Sequence, residues 1–120
     1  MIVAGFGFRA GAGEDSLADA LRLATGAHAP DALATAADKA ASLASLAARL
    51  RLSVIPVSAD QLRAQRTHTQ SQAAETARGT GSVAEAAALA AAGPGARLVA
   101  PRYVSQDRMA TCALAIGAFS

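Results

Sequence analysis

The stretch GFGFRAGAG, residues 5–13, sets four glycines and Arg9 between an apolar opening, MIVA, and a helix signal, EDSLADAL. A glycine loop that leaves a strand and enters a helix presents backbone N–H groups beside the positive end of the helix dipole, which favours anions. The dinucleotide fingerprint G-x-G-x-x-G fails because Ala10 holds the third glycine's place, and no Walker lysine follows the loop. Equally open is a turn whose glycines merely let a helix pack close to a strand. A second glycine turn, GTGS at residues 79–82, opens another helix and offers free N–H groups at its entry. Two such turns in one α/β chain can converge on the carboxyl edge of a sheet, where ligands collect.

The remaining chemistry-bearing side chains are few. Lys39 is the one lysine beside ten arginines, either a functional ammonium or a solvated helix residue paired with Asp38 or Asp15. His28 and His68 titrate near neutrality but have no motif-spaced partner, and they read as surface residues. Glu85 stands three residues after Ser82, which gives it a capping-box role. Cys112 sits in an apolar run and reads as a small core residue. No Ser-His-Asp or Cys-His set can be assembled, no Cys/His spacing resembles a metal site, and no cofactor is implied.

Composition narrows the partners. Hydrophobic residues make up 52% of 120 residues but aromatics only 3%, so the core must be close-packed from small side chains. Stacking platforms for single-stranded nucleic acid are therefore lacking. A net charge of +2 and an isoelectric point of about 9.3 favour anionic partners without requiring nucleic acid. There is no apolar run long enough to span a membrane, and no secretory signal precedes the first strand. A lone cysteine suits a reducing compartment. The expectation is one cytoplasmic domain over residues 1–120.

These residues need elements to hold them. Residues 2–8 read as a buried strand, followed by a helix capped by Asp15 or Ser16 and ended at Thr25-Gly26. Local propensity would make residues 30–52 nearly one helix. Alternation with the rest of the chain instead argues for a strand at 32–37 and a helix over 39–51, with Leu43, Leu46 and Leu50 inward. LSVIPVS reads as a strand ending in a capping box, Ser58 with Gln61, stapled by Val57 against Leu62. From Arg66 to Gly81 the chain turns polar and reads as a loop. Ser82 then opens a helix that Gly93-Pro94 closes, and strands follow at 97–100 and 110–118.

GFGFRAG, TAADK at 35–39, GTGSVAEAAALAAAG at 79–93 and the terminal ATCALAIG occur in an order that resembles the family of CobE and the C-terminal domain of CbiG, in cobalamin biosynthesis. The resemblance covers essentially the whole chain. It implies a single three-layer α/β/α domain with a mixed central sheet. Its site positions would be Gly5, Gly7, Arg9 and Gly11 in the first motif, Thr35 and Lys39 in the second, and Gly81, Ser82, Val83, Glu85 and Ala86 in the third. Phe8 stands where CbiG-type sequences commonly carry cysteine, and Arg102 where they carry lysine.

The implied ligand is a precorrin or hydrogenobyrinic-acid type intermediate, bound or handed over in the cytoplasm, with other enzymes of the pathway as possible partners. The alternative is hydrolysis of a corrinoid lactone, as in CbiG, which draws on N-terminal sequence not found in these 120 residues. A corrinoid is an apolar ring fringed with carboxylates, so its site needs cationic and N–H donors at the rim and small apolar residues beneath. The polar segment with Arg66, His68 and Arg78 is expected to close over the ring.

Overall fold

The computed structural model of the protein describes residues 1–118. Strand β1 (Ile2–Phe8) leads into helix α1 (Glu14–Thr25), then β2 (Ala32–Ala36), a 3-10 helix (Ala37–Leu43), α2 (Ala44–Leu50) and β3 (Val54–Val57). Three helices follow, α3 (Ala59–Arg63), α4 (Gln72–Arg78) and α5 (Val83–Ala92), and then β4 (Arg97–Val104) and β5 (Ala110–Ile116). The five strands form one mixed sheet in the order β3-β2-β1-β5-β4. β1, β2 and β3 run parallel, whereas β5 is antiparallel to both β1 and β4.

Side-chain alternation along β1 sorts the layers. Ala4 and Phe6 point to a core shared with Leu17, Leu21, Leu43 and Leu46, which places α1 and α2 on one face. Val3 joins Val57, Leu62, Ala86 and Ala87 on the other, beneath α5 and α3. Apart from Glu85, helix α5 is apolar all round, as suits a helix packed between the sheet and further structure.

The glycines of β1 explain how α5 comes so close. Gly5 and Gly7 lie inside the strand, on the α5 face, and not in the following loop. A methyl group placed on Gly5 would stand 2.1 Å from the Ala84 carbonyl oxygen and 2.5 Å from the Ala88 nitrogen. On Gly7 it would stand 3.2 Å from the Val83 Cβ. At Gly5 backbone meets backbone and only glycine leaves room, whereas at Gly7 the nearest neighbours are side chains.

Most expected elements are present, and several differ in instructive ways. β2 forms at Ala32–Ala36 against local propensity because all five residues are buried between β1 and β3. The single helix expected over 39–51 is instead a 3-10 turn followed by α2, and Arg51 ends it in the left-handed region at φ 58°. Helix α1 is capped by Gly13 without a side-chain bond, so neither Asp15 nor Ser16 serves as cap. The Ser58–Gln61 capping box is complete, and Val57 and Leu62 are buried in the same cluster. The segment expected to be a loop from 66 to 81 contains α4, with the Ser71 hydroxyl accepting from the Ala74 amide at 3.3 Å. β4 runs to Val104, beyond the expected end at residue 100. It is an edge strand, which tolerates Pro101, and its pairing is irregular between Ala100 and Tyr103. β5 ends at Ile116, two residues before the expected end.

Gly5→Ala should destabilise the fold by roughly 3 kcal/mol or prevent folding, because two backbones must separate. Gly13→Ala, where an added methyl meets nothing within 4 Å, should cost less than about 1 kcal/mol. Urea unfolding midpoints of the two variants check the contrast.

Candidate functional site

A cleft of about 380 Å³ opens at the carboxyl end of β1, where β5 begins and α5 starts. Gly7, Phe8 and Arg9 form one wall. Arg102 and Val104 of β4, Arg108 and Met109 of the β4–β5 turn, and Ala110 and Thr111 of β5 continue that wall across the sheet edge. Val83, the first residue of α5, and Ala73, Ala74 and Ala77 of α4 complete it. Small apolar side chains thus meet three guanidinium-bearing residues. Among the described residues, Arg9, Arg102 and Arg108 have no carboxylate partner at ion-pair distance.

The second motif, Thr35 and Lys39, acts on the end of β1. Backbone pairing between β1 and β2 ends at Gly5 and Ala34. Beyond it the buried Thr35 hydroxyl donates to the Phe6 carbonyl at 2.8 Å, and the Lys39 ammonium donates to the Phe8 carbonyl. Lys39 also lies over the Phe8 ring, 4.8 Å from its centroid, a cation–π contact. Two side chains therefore carry on where the ladder stops and fix the strand end from which Arg9 departs. Lys39 is paired with neither Asp38 nor Asp15. Asp38 instead holds Arg78 in a two-pronged pair at 2.7 and 2.9 Å, joining the 3-10 helix to the end of α4.

The third motif is held by a buried carboxylate. The Ser82 hydroxyl accepts from the Glu85 amide at 3.2 Å, which is half of a capping box. The Glu85 side chain does not return to Ser82. It accepts from the Thr69 amide at 2.8 Å, the Thr69 hydroxyl at 2.6 Å and the Arg102 amide at 2.9 Å. Burial pushes this carboxyl up, but the Thr69 hydroxyl and the amides of Thr69, Arg102 and His68 outweigh it and hold it below its ordinary value of 4.5. Fully enclosed and ionised, Glu85 ties β4 and the 67–70 segment to α5.

The predicted site residues therefore fall into separate groups. Arg9, Gly7 and Val83 lie on the cleft, and Thr35 and Lys39 stand behind it. Gly5 and Ala86 are buried at the β1–α5 contact and in the core beneath α5. Gly81 packs against the 67–70 segment, where an added methyl would stand 2.4 Å from the Thr69 carbonyl oxygen, and it does not reach the cleft. Gly11, at φ 87°, is exposed in the loop ahead of α1. Arg66 and His68 lie beside Ala96 and Arg97, away from the cleft, so the expected closure by them does not occur; α4 covers the cleft with alanines instead. Sequence reasoning left Arg108 and Met109 unassigned, and for Arg102 it noted only the family lysine. Their signal was weak because a hairpin turn and an irregular edge strand bring them in.

Other features carry less chemistry. A larger groove of about 810 Å³ runs between α1 and α2 and includes the exposed His28. Cys112 is buried, which pushes its thiol up and leaves it unreactive. Among the described residues no cluster of His, Cys, Asp or Glu could hold a metal ion. No described helix is long and apolar enough to cross a membrane.

The fold is an α/β domain whose mixed sheet carries an arginine-bearing, alanine-floored cleft at the carboxyl end of β1. Residues 2–115 match the family model described as cobalamin synthesis G C-terminus, and the chain belongs to that family. It is similar to the crystal structure of CobE, a protein from the cobalamin (vitamin B12) biosynthetic pathway, with 32% identity and a TM-score of 0.86 over 96% of this chain and 89% of that one. It is also similar to the cobalamin biosynthesis protein chiG of Agrobacterium tumefaciens, with 44% identity and a TM-score of 0.76 over 98% and 99% of the two chains. A cobalamin biosynthesis protein G homologue from Sulfolobus solfataricus shares the fold at 17% identity and a TM-score of 0.75; 95% of this chain aligns with 36% of that one. No curated protein sequence matches. The protein is thus a cobalamin biosynthesis protein similar to CobE and CbiG.

Glu85→Gln should cost roughly 3 kcal/mol at pH 7, because an amide group then faces buried N–H donors. A depressed folded-state value means that the carboxylate stabilises above pH 4.5 and loses this contribution as pH falls through the lower, folded-state value. The stability gap between wild type and Glu85→Gln should therefore narrow below pH 4.5. Urea midpoints of both proteins from pH 7 to 3.5 check it, and a gap that widens on acidification contradicts it.

Proposed function

We propose that the protein binds a carboxylate-fringed corrin-ring intermediate of precorrin or hydrogenobyrinic-acid type at the β1-edge cleft and hands it to another enzyme of the pathway, in the cytoplasm. The observation that carries this reading is the meeting of Arg9, Arg102 and Arg108, free of acidic partners among the described residues, above an alanine floor. Guanidinium groups grip carboxylates with paired, charge-assisted hydrogen bonds. The alanines of α4 and Val83 offer the flat apolar contact that a macrocycle needs. Family membership supplies the pathway.

The size of the cleft favours hand-over. At about 380 Å³ it accepts an edge of a tetrapyrrole and leaves the rest of the disc open to a second protein. The lining also favours binding over lactone hydrolysis. It contains neither histidine nor carboxylate, and its hydroxyls are engaged, Thr111 donating to the Gly7 carbonyl at 3.0 Å and Ser71 capping α4. Among the described residues the cleft thus offers no base to activate water.

Titration with hydrogenobyrinic acid, followed by its visible absorbance, tests the proposal. Wild type should bind. Arg9→Ala and Arg102→Ala should each weaken binding about tenfold, and rising salt should weaken wild type more than either variant. Equally weak binding by wild type and both variants would remove the cleft as the ligand site.

A further inference from the structure

The turn between β4 and β5 is braced far more heavily than an exposed hairpin requires. Its Ser105 hydroxyl donates to Asp107 at 2.6 Å and accepts from the Ala110 amide at 3.1 Å, and the Met109 amide donates to Asp107 at 3.1 Å. Two further ties come from α1, 91 and 87 residues away in sequence. The Ser16 hydroxyl donates to the second Asp107 oxygen, and the Gln106 amide donates to Asp19 at 2.8 Å. Ser16 and Ser105 are both buried, so these bonds form where water competes poorly.

The brace closes on one residue. Arg108 is held at φ 62°, in the left-handed region where a hairpin ordinarily places Gly, Asn or Asp. Glycine would fill the position without backbone strain, yet the position carries an arginine. That side chain borders the cleft next to the end of β1, where the Arg9 amide donates to the Met109 carbonyl at 2.9 Å, and it carries no acidic partner among the described residues.

We infer that Ser16 and Asp107 are positioning residues which hold Arg108 as a carboxylate-reading group on the β5 wall of the cleft. This rests on the reading of the cleft as the ligand site. Asp107 does not itself touch the ligand. Its two oxygens fix the turn from both sides, so the guanidinium is presented from a rigid backbone and little freedom is lost when an anion docks.

The test combines Arg108→Gly, Ser16→Ala, the double variant and Arg9→Ala, each titrated with hydrogenobyrinic acid and each melted without ligand. Arg108→Gly should weaken binding about tenfold while leaving the Tm unchanged or raised, since the left-handed strain is relieved. Ser16→Ala should weaken binding severalfold and add nothing once Arg108 is Gly, the signature of two residues acting through one contact. In the ligand-free protein, Ser16→Ala should also speed amide hydrogen exchange at residues 106–109 relative to α5. Wild-type affinity in Arg108→Gly alongside weakened Arg9→Ala would overturn the inference while the cleft reading stands. Losses from Ser16→Ala and Arg108→Gly that simply add would overturn it too. Failure of wild type to bind would sink both.

Discussion

The contact on which the arrangement depends is the approach of the α5 backbone to β1 at Gly5. Helix and strand normally keep apart by the thickness of their side chains. Here the missing side chain lets the Ala84 carbonyl and the Ala88 amide come down onto the strand. Alanines at 84, 86, 87 and 88 continue the same economy of volume, which is how a domain with few aromatics fills its interior. The helix start is thereby drawn to the carboxyl edge of β1, so Val83 borders the same cleft as Gly7 and Arg9.

Polar groups then lock what the close packing brings together. Glu85 is enclosed without a cationic partner among the described residues and keeps its charge through hydrogen bonds from a hydroxyl and backbone amides. Such a carboxylate fixes position, and its loss is costly because its donors have no other acceptor once buried. It sets β4, and with it Arg102, against α5. Thr35 and Lys39 do the corresponding work at β1, satisfying carbonyls that the sheet leaves over. The motif residues thus act largely as fasteners around the cleft, while the cleft lining includes arginines outside those motifs.

Helix α4 differs in kind. It buries none of its own residues, yet three of its alanines line the cleft. Its attachments are polar: the Arg78–Asp38 pair, and the Ser71 amide donating to the Gly81 carbonyl at 2.7 Å across the base of the segment. An element held this way is the part of the wall most readily moved, because little apolar area resists its displacement.

Much of the fold was legible from local signals. Period and composition marked β1, α1, β3, α5 and β5, and the Ser58 and Ser82 caps marked helix starts within a residue. The three-layer class followed from strand-helix alternation together with the family resemblance. What sequence could not supply was the destination of each polar side chain. Ser16 looks like a helix cap, yet its hydroxyl reaches Asp107 because the antiparallel return of β5 brings the hairpin turn beside α1. Glu85 looks like the second half of a capping box, yet it turns to Thr69 and Arg102. Gly5 and Gly7 look like an anion loop, yet their strand places them under α5. Local sequence fixes periodicity and caps because those depend on neighbours in the chain. Which guanidinium groups share a cleft depends on strand order, and only the folded sheet decides that.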